Sequence, residues 1–395
     1  MKKSLIALAA LAATASFAQS SVTISGNADV AYMNKEAINT AGQSFLKTSG
    51  VGDGMMAPNR IIFTVQEDLG GGLKAKFVNE HGISPTSTDD WGQRALNGAP
   101  QLAAGAATGT AVPSQIPGSG WNTGSTNRGT YLSLGGGFGE VRAGYLVSSF
   151  YNASSQSGYL LAGEQYGGLL HTLGLAEVGG ARANGLQYIS PVWNGFNFDL
   201  QQQSGAEREA TADAGVGQTY TTSKAPRTAI RLNYANGPLA ASFVNTSYKP
   251  VTQVAPAAAT VDNKTTVNQL LASYTLDALK FTGSYNSGKI DDNTATNADK
   301  KLKSLTWGVQ YTTGPWTAFY VGGKGNVDNN TAASSLRLND IKQQQFGVKY
   351  ALSKRTTAYA GIGESKDTGA GLAAAAGTNN IAKGKVNGIG LSHAF

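Results

Sequence analysis

The sequence contains no cysteine. A chain of this length that leaves the cytoplasm must then be held together by something other than disulfides, and a large hydrogen-bonded sheet would serve. Histidine is nearly absent as well. His81, His171 and His393 stand far apart, in no spacing suited to zinc, so no metal site is expected. Charged residues make up only 14% of the chain and the basic ones form no patch, which argues against nucleic acid as a partner. Past the N-terminal region there is no apolar run of 18 residues, so no helix is expected to cross a bilayer. The glycine run Gly135–Gly139 lacks the helix that a nucleotide-binding loop needs. No cofactor is implied, and the chain gives little to an enzyme.

What is present begins with an export signal. Lys2 and Lys3 precede an apolar run from Leu5 to Ala13, and Ser16-Phe17-Ala18 supplies a small-x-small cleavage site. Residues 1–18 therefore read as a signal peptide and 19–395 as one exported domain.

That domain alternates. From Val22 to Tyr32, Val22, Ile24, Ala28, Val30 and Tyr32 share one face, while Thr23, Ser25, Asn27 and Asp29 share the other. Period two over this span is a strand, long enough for a tilted membrane strand. Strand–turn–strand units follow over Arg60–Glu80, Arg128–Tyr145, Gln187–Gln203, Arg227–Tyr248, Val267–Ser287, Ser304–Lys324 and Gln343–Lys366, each turning on Gly, Pro, Asn, Asp or Ser. Lys385–Phe395 closes the series. Seven hairpins with a first and last strand make sixteen strands. Eight longer segments separate them, near 33–58, 82–126, 147–182, 204–226, 249–265, 288–302, 326–341 and 367–383.

Short turns at one end and long loops at the other are the plan of a 16-stranded antiparallel transmembrane β-barrel, an all-β fold. The faces agree. Leu305, Trp307, Val309 and Tyr311 alternate with Ser304, Thr306, Gly308 and Gln310, an apolar outside against a wet lumen. Aromatic residues at strand ends (Tyr32, Tyr145, Tyr188, Tyr234, Tyr248, Tyr274, Tyr311, Trp316 and Tyr350) suit girdles at the two membrane interfaces.

Strand parity then points charges inward. Arg60, Lys74, Lys76, Arg142, Arg231 and Lys349 fall opposite apolar neighbours, as do the acids Asp29, Glu80, Glu140 and Asp199. Asn27 joins the lumen lining. Arg128 is ambiguous, because Thr130, Leu132 and Leu134 share its parity. The segment Val147–Arg182 is too apolar for a solvated loop and too rich in Gly and Ser for a membrane helix. It is expected to fold inward and narrow the channel.

Four stretches resemble the trimeric general-diffusion porins of Gram-negative bacteria, of the beta-proteobacterial type. They are Gln19–Gly26, Glu67–Ala75, Tyr188–Phe196 and Gly390–Phe395. The resemblance implies a homotrimer, and a terminal Phe395 read by the barrel-assembly machinery. It also implies a constriction in which wall arginines face a carboxylate on the third loop. Arg60 and Arg128 sit where two of those arginines would, which turns Arg128 inward, and Glu164 in Gly163–Gly168 would be the carboxylate. The third arginine position is Ala181 with Arg182 beside it, a departure that a β-bulge could repair.

The expected function is passive diffusion of small hydrophilic solutes, with an anion preference from the positive excess at the constriction. The alternatives are a channel specific for an organic acid or phosphate, and a surface barrel with adhesin or hydrolase activity. Outer-membrane lipid and lipopolysaccharide would surround the barrel.

Overall fold

The computed structural model describes residues 20–39, 42–83, 85–86, 126–156, 182–204, 220–224, 226–249, 251–255, 259–262, 264–291, 299–330, 335–368 and 381–395. The expected signal segment and Glu164 lie outside the described residues.

The strands run β1 (Ser21–Asn39), β2 (Ser44–Asp53), β3 (Arg60–Gly70), β4 (Leu73–Gly82), β5 (Thr126–Gly136) and β6 (Gly139–Val147). A helix, α1 (Ser149–Gln156), precedes β7 (Arg182–Ile189), β8 (Phe196–Gln203), β9 (Tyr220–Lys224), β10 (Arg227–Asn236) and β11 (Leu239–Tyr248). Then come β12 (Val251–Ala255), β13 (Ala259–Asp262), β14 (Lys264–Leu276), β15 (Leu279–Asp291) and β16 (Asp299–Thr313). The last are β17 (Trp316–Asn330), β18 (Ser335–Ala351), β19 (Thr356–Asp367) and β20 (Ile381–Ala394).

Seventeen of these strands form one antiparallel sheet, which closes where β20 pairs with β1 from Asn27↔Ala394 to Asn39↔Ile381. Closure leaves no sheet edge in the apolar phase, where an unpaired backbone group would go unsatisfied. The barrel still has sixteen positions, because β2 and β3 both border β1 on one side. β2 pairs with its outer half and β3 with Ser21–Asn27.

The seven short turns fall where turn chemistry places them. Asn194 and Gly195 take positive φ of 50° and 86°, and Asp277 takes 50°, in the left-handed region that Asn, Asp and Gly tolerate. Outward faces are apolar and exposed, as in Leu132, Leu134, Ile230, Leu232, Leu305, Trp307 and Phe346. Tyr32, Tyr274, Tyr311 and Trp316 are exposed among them. Tyr248 departs from the girdle reading. It has the inward parity of Val244 and Thr246, and the Arg227 guanidinium lies 4.8 Å from its ring centroid.

Three of the long loops are corrected. Segment 33–58 is mostly strand, because the alternation of β1 continues to Asn39 and β2 pairs back along it. Within segments 204–226 and 249–265, β9, β12 and β13 make a separate three-stranded sheet.

The interior is less uniformly polar than expected. Val244, Val267, Leu271, Leu302, Val327 and Ile341 project inward from five strands and bury Phe150 and Ala153 of α1. A side chain the size of Phe gains about 1.5–3 kcal/mol by such burial. The first described turns of the third long loop therefore do fold inside the barrel. A second excursion, residues 54–59 between β2 and β3, also turns inward, where Met55 packs on Ala31, Met33, Tyr359 and Val386.

Candidate pore constriction

The inward carboxylate of β4, Glu80, collects two arginines. Arg128 donates from Nε to Glu80 Oε1 at 2.8 Å, and Arg60 donates from a terminal nitrogen to the same oxygen at 3.3 Å. Arg60 lies on β3, opposite Asn27 of β1. Its side chain is 37% exposed, against 8% for Arg128, so Arg60 carries the more accessible charge.

Arg128 reaches this cluster through a bulge. The β4–β5 register passes from Glu80↔Gly129 to His81↔Asn127, leaving Arg128 as the unpaired extra residue. A bulge re-aims one side chain and resets alternation beyond it. This is why Arg128 is buried and faces Glu80, although simple alternation groups it with Leu132 and Leu134.

Arg182, the first residue of β7, joins the group from the other side. Its Nε donates to the Arg128 carbonyl oxygen at 2.7 Å, and its guanidinium lies 5.6 Å from the ring centroid of Tyr151 on α1. It thus ties the wall to the inward helix.

The root of α1 is fastened by polar side chains that face inward from β7 and β8. Ser148 accepts the Tyr151 N–H at 3.2 Å, the N-cap contact that satisfies one free helix donor. Gln201 accepts the Ser149 N–H and donates to the Val147 carbonyl, both at 2.8 Å. Asp199 accepts from the Ser149 hydroxyl and from Gln187, with Arg231 at 3.8 Å. Gln203 donates to the Leu146 carbonyl at 2.7 Å. Asp199 and Arg231 thus belong to the helix anchor.

Nearer the short turns, Glu140 binds Lys76 at 2.9 Å and Arg142 at 2.7 Å, and the Arg142 guanidinium lies 5.0 Å from the Tyr131 ring centroid. A cavity of about 320 Å³ opens between this group and α1, lined by Arg142, Asn152, Gln187, Asp199, Arg231 and Ser242. Lys349 stands apart on β18, with its ammonium 6.0 Å from the Phe319 ring centroid. Lys74 is exposed, one residue past the start of β4.

Asp29, read as lumen lining, requires a correction. It points inward but is completely buried beneath residues 54–59. Its Oδ2 accepts the Met56 and Ala57 N–H groups, each at 2.7 Å, and its Oδ1 accepts the Tyr359 hydroxyl at 2.6 Å. A Cβ on Gly54 would overlap the Asp29 carboxylate, so only glycine fits there. Asp29 is a structural clamp.

Parity did not identify Phe150, Tyr359 or the glutamine anchors. The available signal was the set of apolar residues on polar parity, such as Val244, Leu302 and Ile341. A wet wall has no use for these unless something apolar packs on it.

Comparison with known proteins agrees with this architecture. The model of the Gram-negative porin family matches residues 5–370. Outer membrane porin protein 32 of Delftia acidovorans is 32% identical over the whole of both chains. The major outer membrane protein P.IB of Neisseria gonorrhoeae is 26% identical, over 92% of this chain and 93% of that one. Among solved structures, an anion-selective porin from Comamonas acidovorans superposes with a TM-score of 0.62 at 22% identity, covering 95% of this chain and all of that one. OmpT of Vibrio cholerae in a trimer form gives 0.59 at 12% identity, over 95% and 99%. The closed barrel, the inward helix and these relatives lead to one conclusion: the chain belongs to the Gram-negative porin family, passive channels of the outer membrane and not enzymes.

Proposed function

We propose that this porin prefers anions and that Arg60, Arg128 and Arg182, with Arg142 below them, create the preference. The observation that carries the reading is the sharing of one carboxylate oxygen of Glu80 by two arginines, with a third arginine alongside. Among the described residues the cluster gathers three guanidinium groups around this one carboxylate, and we read the wall there as net positive. A low-dielectric barrel wall concentrates such a field. An anion entering it is stabilised, yet the arginines are already held by Glu80 and the Arg128 carbonyl, so the anion is bound weakly and leaves. The anion selectivity stated for the Comamonas acidovorans porin supports the same reading. In this reading Glu164, which lies outside the described residues, would supply the carboxylate that faces the arginines. Assembly as a homotrimer is part of the proposal, supported by the trimer form of the Vibrio cholerae barrel.

The test is the reversal potential of single channels in a lipid bilayer under a potassium chloride gradient. Wild-type channels should reverse on the chloride side of zero. The double variant Arg60→Ala with Arg128→Ala should move toward zero. A cation-selective wild type would overturn the proposal, and an unchanged double variant would move the selective site elsewhere.

A further inference from the structure

We propose that the outer surface of β17–β20 binds a phosphorylated glycolipid of the outer leaflet through a row of lysines. Lys324 stands directly opposite Lys342, Lys342 opposite Lys366, and Lys366 opposite Lys383, across four adjacent strands. All four side chains have the outward parity, and Lys324, Lys342 and Lys366 are exposed. Like charges placed directly opposite one another destabilise a sheet, so a solvated row of this kind works against the fold. Only Lys383 is compensated, by Glu364 at 2.9 Å. Among the described residues, no carboxylate lies within ion-pair distance of the other three. The contrast on the same barrel is Lys289, which is held by Asp291 and by Asp299.

Height supports a lipid headgroup as the occupant. On β17 the outward face passes from Trp316 through Tyr320 to Lys324. At a rise of about 3.3 Å per residue and a tilt of about 40°, that is roughly 20 Å along the membrane normal, close to the height of a barrel's apolar band. The row therefore lies at the external interface, on the side opposite the short turns. Neighbouring strands lie about 4.8 Å apart, so the row spans roughly 14 Å, more than one phosphate would occupy. Below it, Tyr32, Phe346, Val348, Ala360, Ile362 and Ile389 line an open outward furrow of about 510 Å³. The furrow is walled mostly by apolar side chains and would take an acyl chain from the same molecule. Phosphates on the lysines and a chain in the furrow identify a glycolipid with more than one phosphate.

The test titrates the detergent-solubilised, full-length porin with purified lipopolysaccharide. The variant Lys324→Gln, Lys342→Gln, Lys366→Gln should bind at least tenfold more weakly, while Lys289→Gln binds as wild type. Dephosphorylated lipopolysaccharide should lose binding to a similar degree, and millimolar inorganic phosphate should not displace the intact lipid. Heat-modifiable electrophoretic mobility and unchanged single-channel conductance establish that the variants are folded. If the triple variant does not fold, the central Lys342→Gln alone should weaken binding at least threefold. Triple-variant binding within twofold of wild type would overturn the proposal. So would displacement by inorganic phosphate, which would make the row a free-anion site.

Discussion

Arg60 and Arg128 converge on one oxygen of Glu80, although they come from β3 and β5 and the chain between them exceeds sixty residues. The acid lies on β4, between those two strands, and both arginines lean toward it across the lumen face. Glu80 therefore does two things. It fixes the orientation of both guanidinium groups, and it removes one unit of positive charge from the eyelet.

Neutralising that acid separates the two effects. Glu80→Gln keeps an oxygen acceptor for the arginines and restores the missing charge. One unit charge about 8 Å from a permeating anion in a water-like dielectric is worth about 0.5 kcal/mol, or roughly twofold in a permeability ratio. Anion preference, read as a reversal potential at low salt, should rise by about that factor. It should fall back at high salt, where the Debye length shortens to about 3 Å at 1 M. A decrease at low salt would mean that orientation of the arginines matters more than their net charge.

The inward helix gives a second prediction. Phe150 is fully buried against Val244, Val267 and Leu271, while the rest of the helix root is held by hydrogen bonds. Phe150→Ala should cost about 3–5 kcal/mol of local packing, the usual range for truncating a buried aromatic. That is enough to free α1 from the wall without opening the sheet, whose backbone ladder it does not touch. Single-channel conductance should rise and become noisier, with heat stability of the barrel nearly unchanged. A quiet channel of wild-type conductance would show that the helix is held by its polar root alone.

These two sites differ in how legible they were. Sheet, turns and outward faces followed from alternation and turn chemistry, because a strand between lipid and water repeats one rule at each residue. Arg60 and Glu80 followed the same rule. Arg128 did not, since the bulge that turns it inward is a register event between two strands, visible only once Glu80 pairs with Gly129. Phe150 was hidden for a related reason. Its partners come from strands scattered over a hundred residues, and no local pattern names a side chain that packs across a lumen. Asp29 was read with the correct parity and the wrong neighbours, because residues 54–59 cover it.

The clamp at Asp29 makes a third prediction. Tyr359 donates to Asp29 Oδ1 and accepts the Met55 N–H at 2.8 Å, so one hydroxyl joins β19, β1 and the inward segment. Tyr359→Phe removes the hydroxyl alone and leaves a buried carboxylate oxygen and a buried N–H short of partners. Each such orphaned group costs about 1–3 kcal/mol. The midpoint of heat-induced unfolding, followed by electrophoretic mobility, should fall by several degrees, while selectivity set by the arginines stays as in wild type. A lost anion preference would show that residues 54–59 border the eyelet.

The chain end supplies the last prediction. Phe395 donates its N–H to the Gly26 carbonyl at 3.2 Å and accepts the Gly26 N–H at 2.9 Å, completing the seam between β20 and β1. A Cβ on Gly26 would meet the Phe395 ring, so the ring packs against a residue with no side chain. Two roles for Phe395 can then be told apart. If the residue acts chiefly as the signal read by the assembly machinery, Phe395→Ala should lower the amount of folded barrel in outer membranes several-fold. The purified variant would still refold in detergent with near-wild-type yield. If it acts chiefly as the seam, refolding in detergent should fail as badly as assembly in the cell. Gly26→Ala separates the cases again, since it disturbs the seam and leaves the terminal residue intact. Assembly through recognition predicts that Phe395→Ala is the worse variant in cells and Gly26→Ala the worse in detergent, measured by the heat-modifiable fraction. The reverse order would assign Phe395 to the seam.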